Sequence, residues 1–173
     1  GVNYMGTSMI DGLFRRYGTE TAIPTTAGDY VSYGESRTAE VIVNIADLTT
    51  SAAIIPYADT TFIPAGVFID SVTLEAQTAV TAITSLSIGA CKLDRSTAIA
   101  ENAFADAVVL ADLNGAGETK VLVGPPAAGG AGTKVGTTFG NDTGYLTAKI
   151  AGSAGTGTVR VIIKYRGLPP ITH

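Results

Sequence analysis

The side chains that most often carry out catalysis are scarce in this chain of 173 residues. Its single histidine, His173, is the last residue, and its single cysteine, Cys91, lies in the apolar run 86–91. Nucleophilic catalysis needs a base that a third group holds in place, and chain ends are usually mobile. We therefore expect no Ser–His–Asp or Cys–His arrangement, and two such residues are too few for a zinc site. Cys91 is expected to be a buried structural thiol that forms no internal disulfide.

Carboxylate pairs are the next candidates for chemistry, because two acids can serve as the catalytic pair of a glycosidase. The candidates are Asp94 with Asp106 or Asp112, and Asp70 with Glu75. Asp70 and Glu75 lie five residues apart on one predicted strand, so they should point to opposite faces. Solvated carboxylates are the expected interpretation, and a hydrolase that uses Asp94 or Asp106 remains an alternative.

Two loops could in principle bind a small ligand. The run 129–134 is superficially similar to a phosphate-binding loop, but Thr133 separates Gly132 from the lysine and no helix signal follows. We expect a flexible surface loop there. Asp94 and Ser96 offer the oxygen ligands that calcium prefers, without the regular Asp and Asn spacing of a calcium loop. No cofactor and no metal are therefore expected.

Composition limits the classes of partner. The formal net charge of −4 argues against nucleic acid, whose phosphates require Lys and Arg. No apolar stretch approaches the roughly 20 residues of a membrane span, and no secretory leader is recognisable. Charged residues make up 15%, below the usual ~25%, so the surface is either small and polar or covered by partner subunits. Acids dominate residues 38–118 and bases dominate 119–173, which indicates either ordinary solvation or an acidic face that meets a basic face of the next subunit.

Short β-branched runs separated by Gly, Thr, Ala and Pro predict an all-β domain. About eight strands are expected, over 39–45, 53–55, 60–63, 67–76, 86–90, 121–123, 145–150 and 157–165. Pro56 and Pro64 should each end a ladder or lie on an edge, and 151–157 is interpreted as a hairpin connection. The predicted fold is a jelly-roll-like antiparallel sandwich or barrel, although other Greek-key sandwiches fit nearly as well.

One segment departs from the strand pattern. Residues 98–113 are rich in Ala, and Ile99, Phe104 and Val108 lie near helical spacing. Asn114 and the glycines after it would end a helix well. A single short helix is therefore expected at this position.

The first 36 residues show no sustained period, so we predict an N-terminal arm over 1–36 and a β-sandwich domain over 37–173. The arm is too apolar to be a disordered tail by composition, and it needs a surface to lie on, either its own barrel or another chain. Its predicted partner-binding residues are Tyr4, Met5, Met9, Ile10, Leu13, Phe14, Arg15, Arg16 and Tyr17.

The stretches 35–43 and 62–76, together with 86–89 and 92–96, resemble the jelly-roll decoration (cement) proteins of tailed bacteriophage heads. The resemblance covers residues 35–165 and concerns the general residue pattern, without a diagnostic motif. It implies a non-enzymatic virion protein, made in the host cytoplasm and often a homotrimer. Such a protein sits on the capsid exterior at junctions between major capsid subunits and stabilises the icosahedral shell.

Two further binding or structural roles remain open. A carbohydrate- or receptor-binding sandwich of a phage fibre predicts exposed aromatic residues on one face, whereas Trp is absent and aromatics are only 7%. A jelly-roll major coat protein is compatible with the modest size of the chain. The preferred interpretation is a decoration protein whose arm binds the major capsid protein.

Overall fold

The computed structural model describes residues 36–58 and 60–167, which form seven strands and two single 3-10 turns. The strands are β1 (Ser36–Asn44), β2 (Ala53–Ile54), β3 (Phe62–Ile63), β4 (Phe68–Lys92), β5 (Ala98–Val109), β6 (Thr119–Leu122) and β7 (Gly144–Arg166). The 3-10 turns are Ile45–Asp47 and Leu110–Asp112. The arm residues of 1–35 and the terminal His173 lie outside the described residues.

Two long strands form the frame of the fold. β4 has 25 residues and β7 has 23, and they pair antiparallel from Phe68 opposite Arg166 to Lys92 opposite Gly144. The half that contains the start of β4 and the end of β7 carries β1 next to β7 and β6 next to β4. The other half carries β2 and β3 next to β7 and β5 next to β4. Buried side chains from both halves belong to one apolar cluster, so the sheet folds over on itself as a sandwich. The prediction of an all-β antiparallel sandwich of the jelly-roll type is confirmed.

The expected hairpin over 151–157 is wrong, because β7 runs through it without a break. The same is true of β4, which joins the two strands expected over 67–76 and 86–90. The ladder between them shifts register four times between Ala76 and Ser85, and Gly152 and Gly157 have φ of 89° and 121°. Glycine with positive φ in a strand permits a bulge and a bend, so these residues turn the sheet where the pattern indicated a chain reversal.

The helix expected over 98–113 is also wrong. The segment forms β5, followed by the 3-10 turn Leu110–Asp112. A Cβ at Gly89 of β4 would collide with the backbone of Ala100 and Glu101, so β5 lies unusually close to its neighbour. Small alanine side chains permit that approach, and burial against β4 outweighs the helix propensity of alanine.

Alternation in the first strand is as predicted. Ala39, Val41 and Val43 are buried between exposed neighbours. Strands β2 and β3 end just before Pro56 and Pro64, which confirms that each proline terminates a ladder. Cys91 is 6% exposed. Burial raises the pKa of its thiol, and the nearby negative charge of Asp94 makes a smaller contribution in the same direction. It is the structural thiol that the sequence indicated.

Candidate functional site

Four of the five candidate catalytic carboxylates, those of Asp70, Glu75, Asp94 and Asp112, make structural contacts. The fifth residue, Asp106, makes hydrogen bonds with its backbone groups. Asp94 closes a tight turn: one carboxylate oxygen accepts the backbone N–H groups of Ser96 and Thr97 at 2.9 and 2.8 Å. The other accepts the Thr97 hydroxyl at 2.6 Å. These hydrogen bonds lower the pKa of Asp94 to about 2, and the bond from the Thr97 hydroxyl contributes most. The carboxylate is therefore a turn-forming acceptor.

Asp70 and Glu75 point to the same face of the sheet, which corrects the expectation of opposite faces. A register shift between Ile69 and Ser71 inserts one extra residue in β4. Both acids then meet arginines on the outward side of β7, Asp70 with Arg166 at 3.4 Å and Glu75 with Arg160 at 3.6 Å. Asp112 likewise meets Lys120 at 3.1 Å. In each case the described partner is a base, as expected for surface ion pairs.

The glycine-rich run 129–134 uses its amides within the fold. Gly132 N–H donates to the Phe104 carbonyl at 3.2 Å, and Thr133 and Lys134 donate to residues of the same strand, β5. A phosphate loop must keep such N–H groups free for its ligand. The run is therefore a backbone bridge to β5, and the expectation of a free, flexible loop is wrong.

Within 36–58 and 60–167, no three His, Cys, Asp or Glu side chains lie close enough to hold a metal ion. The same part of the chain contains no helix with the length and apolar character needed to cross a membrane.

One side of the sandwich, which we call the closed side, is bridged by the chain between β6 and β7. Asp106 N–H of β5 donates to the Gly130 carbonyl at 2.9 Å, and Ile69 N–H of β4 donates to the Thr137 carbonyl at 3.0 Å. The rings of Phe104 and Phe139 stack beneath this bridge with centroids 5.7 Å apart, and both are fully buried. Backbone bonds and a buried aromatic pair therefore join the two layers here.

The opposite side, which we call the open side, has no such bridge among the described residues. β1 ends the path of strands through the sheet, and β7 is its one partner within that part of the chain. A cavity of about 670 Å³ lies between β1 and the segment 56–61, and a second of about 360 Å³ lies between the start of β1 and residues 60–64. We call these two adjoining cavities the β1 groove.

The β1 groove follows the edge of the strand. Its walls include the consecutive residues Glu40, Val41 and Ile42, whose side chains alternate between the two faces of the sheet. A cavity that contacts successive residues of one strand must lie at the strand's edge, where unpaired backbone groups are presented. The groove is thus a place where another extended chain can pair with β1.

Exposed apolar side chains surround the groove. Ile42 and Phe62 are each 47% exposed, and Tyr57 is 99% exposed. Tyr57 also has φ of 65°, a left-handed conformation that is rare for a bulky residue. Backbone strain of this kind often occurs at binding sites. The charged residues that line the larger cavity, Glu40 and Asp47, are both acidic.

A second group of apolar side chains lies at the far edge of the same layer. Val121 of β6 is 58% exposed, and the next outward residue, Val123, is 59% exposed. On the outward face of this layer, Thr73 of β4 is paired with Val121 on one side and with Ile162 of β7 on the other. The layer therefore presents apolar groups at both edges.

Sequence reasoning did not find the β1 groove. Its walls come mainly from two separate segments, within 37–47 and 56–64, and the periodicity of β1 indicates which residues are buried but not which edge is free. The prolines that end β2 and β3 were the available signal, because they leave residues 56–61 as irregular chain beside β1. The predicted partner-binding residues of the arm lie outside the described residues.

No protein-family model matches the chain, and no curated protein matches it. Among solved structures, one similar chain is described as "Acidic stable capsid structure of Helicobacter pylori bacteriophage KHP30". The likeness has a TM-score of 0.44 and 15% sequence identity, and it covers 82% of this chain and 94% of that chain. A TM-score this low does not by itself establish a common fold, so no function is transferred from that protein.

Proposed function

We propose that this protein is a virion structural protein that decorates and stabilises an icosahedral phage capsid by binding major capsid subunits. In this proposal it has no enzymatic activity, and it acts on the capsid exterior as a homotrimer. The arm over 1–36 makes the main contact with the capsid. The sequence resemblance to jelly-roll decoration proteins and the all-β antiparallel fold support this role.

The observation that carries the proposal is the uneven distribution of exposed apolar side chains. Seven large apolar residues of the described chain are between 45% and 99% exposed. Single exposed apolar residues are ordinary on protein surfaces. Here three of the seven, Ile42, Tyr57 and Phe62, border the β1 groove, and Val121 and Val123 lie together at the other edge. Clustered apolar exposure is typical of interaction surfaces.

Binding energy explains how such a protein stabilises a shell. A protein that binds only the assembled capsid adds its binding free energy to the stability of the shell. Apolar area buried in the contact contributes about 25 cal/mol per Å². Many copies on one shell multiply a modest gain per copy, so a small, weakly charged protein can have a large total effect.

Deletion of residues 1–34 tests the proposal. Every buried apolar residue of the described chain lies between Ala39 and Tyr165, so the truncated protein should still fold. We expect cosedimentation with purified capsids to be lost while the far-ultraviolet circular dichroism stays that of a β protein. Removal of residues 168–173 from the other terminus is the matched control and should leave capsid binding intact.

Three results would contradict the proposal. Capsid binding that survives deletion of the arm would show that the arm is not the main contact. Strong and selective binding on a glycan array would favour the receptor-binding alternative. Closed shells that assemble from this chain alone would favour the major coat protein.

A further inference from the structure

We infer that the β1 groove receives residues 9–17 of a neighbouring copy, which add to the sheet as an extra strand beside β1. The inference deepens the proposed function, and it rests on that function in choosing a second copy as the source of the strand. It assigns a specific docking site to the arm segment that contains Arg15 and Arg16, and it leaves residues 1–8 and 18–35 of the arm for the capsid contact of the proposed function.

β1 has a free edge within the described chain. The strand has nine residues, Ser36–Asn44, and within the described chain it pairs on one side only. A long unpaired edge is normally shortened, charged or covered in natural proteins. The closed side of the same sandwich is covered by the bridge over 127–139. An added strand would cover the open side in the equivalent way, through main-chain hydrogen bonds.

The β1 groove also has room for an extended chain. The two cavities, about 670 and 360 Å³, lie along consecutive parts of the same strand, next to residues 40–44 and 37–40. Ligand sites usually occupy roughly 300–1,000 Å³. The pair therefore forms an elongated site, which suits an extended chain better than a compact ligand.

The groove and the segment over 9–17 have complementary chemistry. The groove borders Ile42, Tyr57 and Phe62. Its charged residues are Glu40 and Asp47 in the larger cavity and Arg37 in the smaller one, and Glu40 is already paired with Arg160 at 3.0 Å. The segment over 9–17 contains four large apolar side chains between Ile10 and Tyr17, with two adjacent arginines. Its apolar side chains would cover the exposed apolar rim of the groove, and its arginines would face Asp47.

The chain between the segment 9–17 and β1 is long. Residues 18–35 connect the segment to Ser36, the first residue of β1. At about 3.3 Å per residue, these 18 residues span at most roughly 60 Å. That reach is about twice the length of β1, whose nine residues span roughly 30 Å. Exchange of one segment around a closed ring would give each copy one donated and one received strand, as a symmetric oligomer requires.

Disulfide trapping in the full-length protein tests the inference. One copy carries Ile42→Cys, and a second copy with a mass tag carries a single cysteine at one position between 10 and 16. The two are expressed together and oxidised. Residues opposite each other on antiparallel strands lie about 4.5–5.5 Å apart, within disulfide range. Cys91 is buried and is left unchanged.

We expect a cross-linked pair that contains one tagged and one untagged copy. Its yield should rise and fall with a period of two along the scan, since alternate residues of a strand share a face. Val121→Cys, on the opposite edge and similarly exposed, is the matched control and should give several-fold less product. No mixed product, or equal yields at every position, would overturn the inference.

A chain carrying both cysteines distinguishes the source of the strand. Cross-links confined to single molecules of that double variant would show that each arm fills its own groove, which overturns the assignment to a neighbour. A charge exchange adds independent evidence. Arg15→Glu with Arg16→Glu should lower the mixed product several-fold, and Asp47→Lys should restore part of it.

The trapping experiment contains no capsids, so its failure is separate from failure of the proposed function. Unaltered protein that binds capsids but gives no mixed product would overturn the groove assignment alone. Protein that gives the mixed product but does not bind capsids would overturn the proposed function alone.

Discussion

The two long sides of the sandwich are finished in different ways. On the closed side, residues 127–139 bond to both β5 and the start of β4, and Phe104 stacks on Phe139 below them. On the open side, β1 ends the sheet, and the segment 56–64 stands across a groove from it. The same chain therefore closes one side with its own backbone and leaves the other available.

This difference separates stability from binding. The rings of Phe104 and Phe139 on the closed side are fully buried. On the open side Ile42 and Phe62 are each 47% exposed, and Tyr57 is 99% exposed. Substitutions on the closed side should therefore change the free energy of unfolding. Substitutions on the open side should change association and leave folding nearly untouched.

The largest expected effect comes from the buried aromatic pair. Phe139→Ala removes a fully buried ring and should lower the free energy of unfolding by about 3–5 kcal/mol. Phe62→Ala on the open side, where the ring is 47% exposed, should cost less than about 1 kcal/mol. Equilibrium denaturation in urea measures both. Similar losses for the two variants would abolish the contrast between the sides.

A pair of glycines in the bridge gives a smaller effect. A Cβ at Gly132 would collide with the backbone of Asn102 and Ala103, so Gly132→Ala forces the bridge away from β5. We expect a loss of about 1–3 kcal/mol in the same denaturation experiment. At Gly130 the nearest atom would be the Ala127 carbonyl oxygen at 3.6 Å, an ordinary contact. Gly130→Ala is thus a control that should be nearly neutral, and equal losses would show that close approach to β5 is not what the glycine permits.

The smallest effect concerns the Asp94 turn, which belongs to neither side. Its pKa in the folded protein is about 2, below the ordinary value of 3.8. The stability that this carboxylate contributes is therefore fully present above pH 3.8 and is lost as the pH falls through about 2. NMR titration of the Asp94 carboxyl carbon should show a midpoint near 2.

Two variants identify the groups that hold this pKa down. Thr97→Val removes the hydroxyl that lowers it most and should move the midpoint upward toward 3.8. The Ser96 side chain also lowers this pKa by a hydrogen bond, which makes the smallest contribution. Ser96→Ala removes that bond, keeps the Ser96 backbone N–H and should move the midpoint less. The reverse order would refute the assignment of the Thr97 hydroxyl as the main cause.

Strand patterning predicted much of the fold. Each of the eight predicted strands falls within or overlaps a strand of the structure, because side chains that alternate in burial must alternate in polarity. The pattern did not show that β4 and β7 are continuous. Gly152 and Gly157 permit a bulge as readily as a turn, and tertiary pairing decides between them.

The failures have specific physical causes. Alanine in 98–109 favours a helix locally, yet β5 needs small side chains to approach β4 at Gly89. The common face of Asp70 and Glu75 depends on one extra residue in the ladder, which alternation alone cannot reveal. The β1 groove depends on which edge the chain leaves uncovered, a property of the assembled sheet that no single segment encodes.

Hydrogen exchange of the intact protein at two concentrations tests the central claim most directly. If a neighbouring copy covers β1, alternate amides of Ser36–Asn44 should be protected at high concentration and should exchange faster on dilution, since dilution releases the donated strand. Amides of the bridge over 127–139 should be unaffected. Two results would contradict the account: protection of these alternate β1 amides that does not depend on concentration, or equal loss of protection in β1 and in the bridge over 127–139.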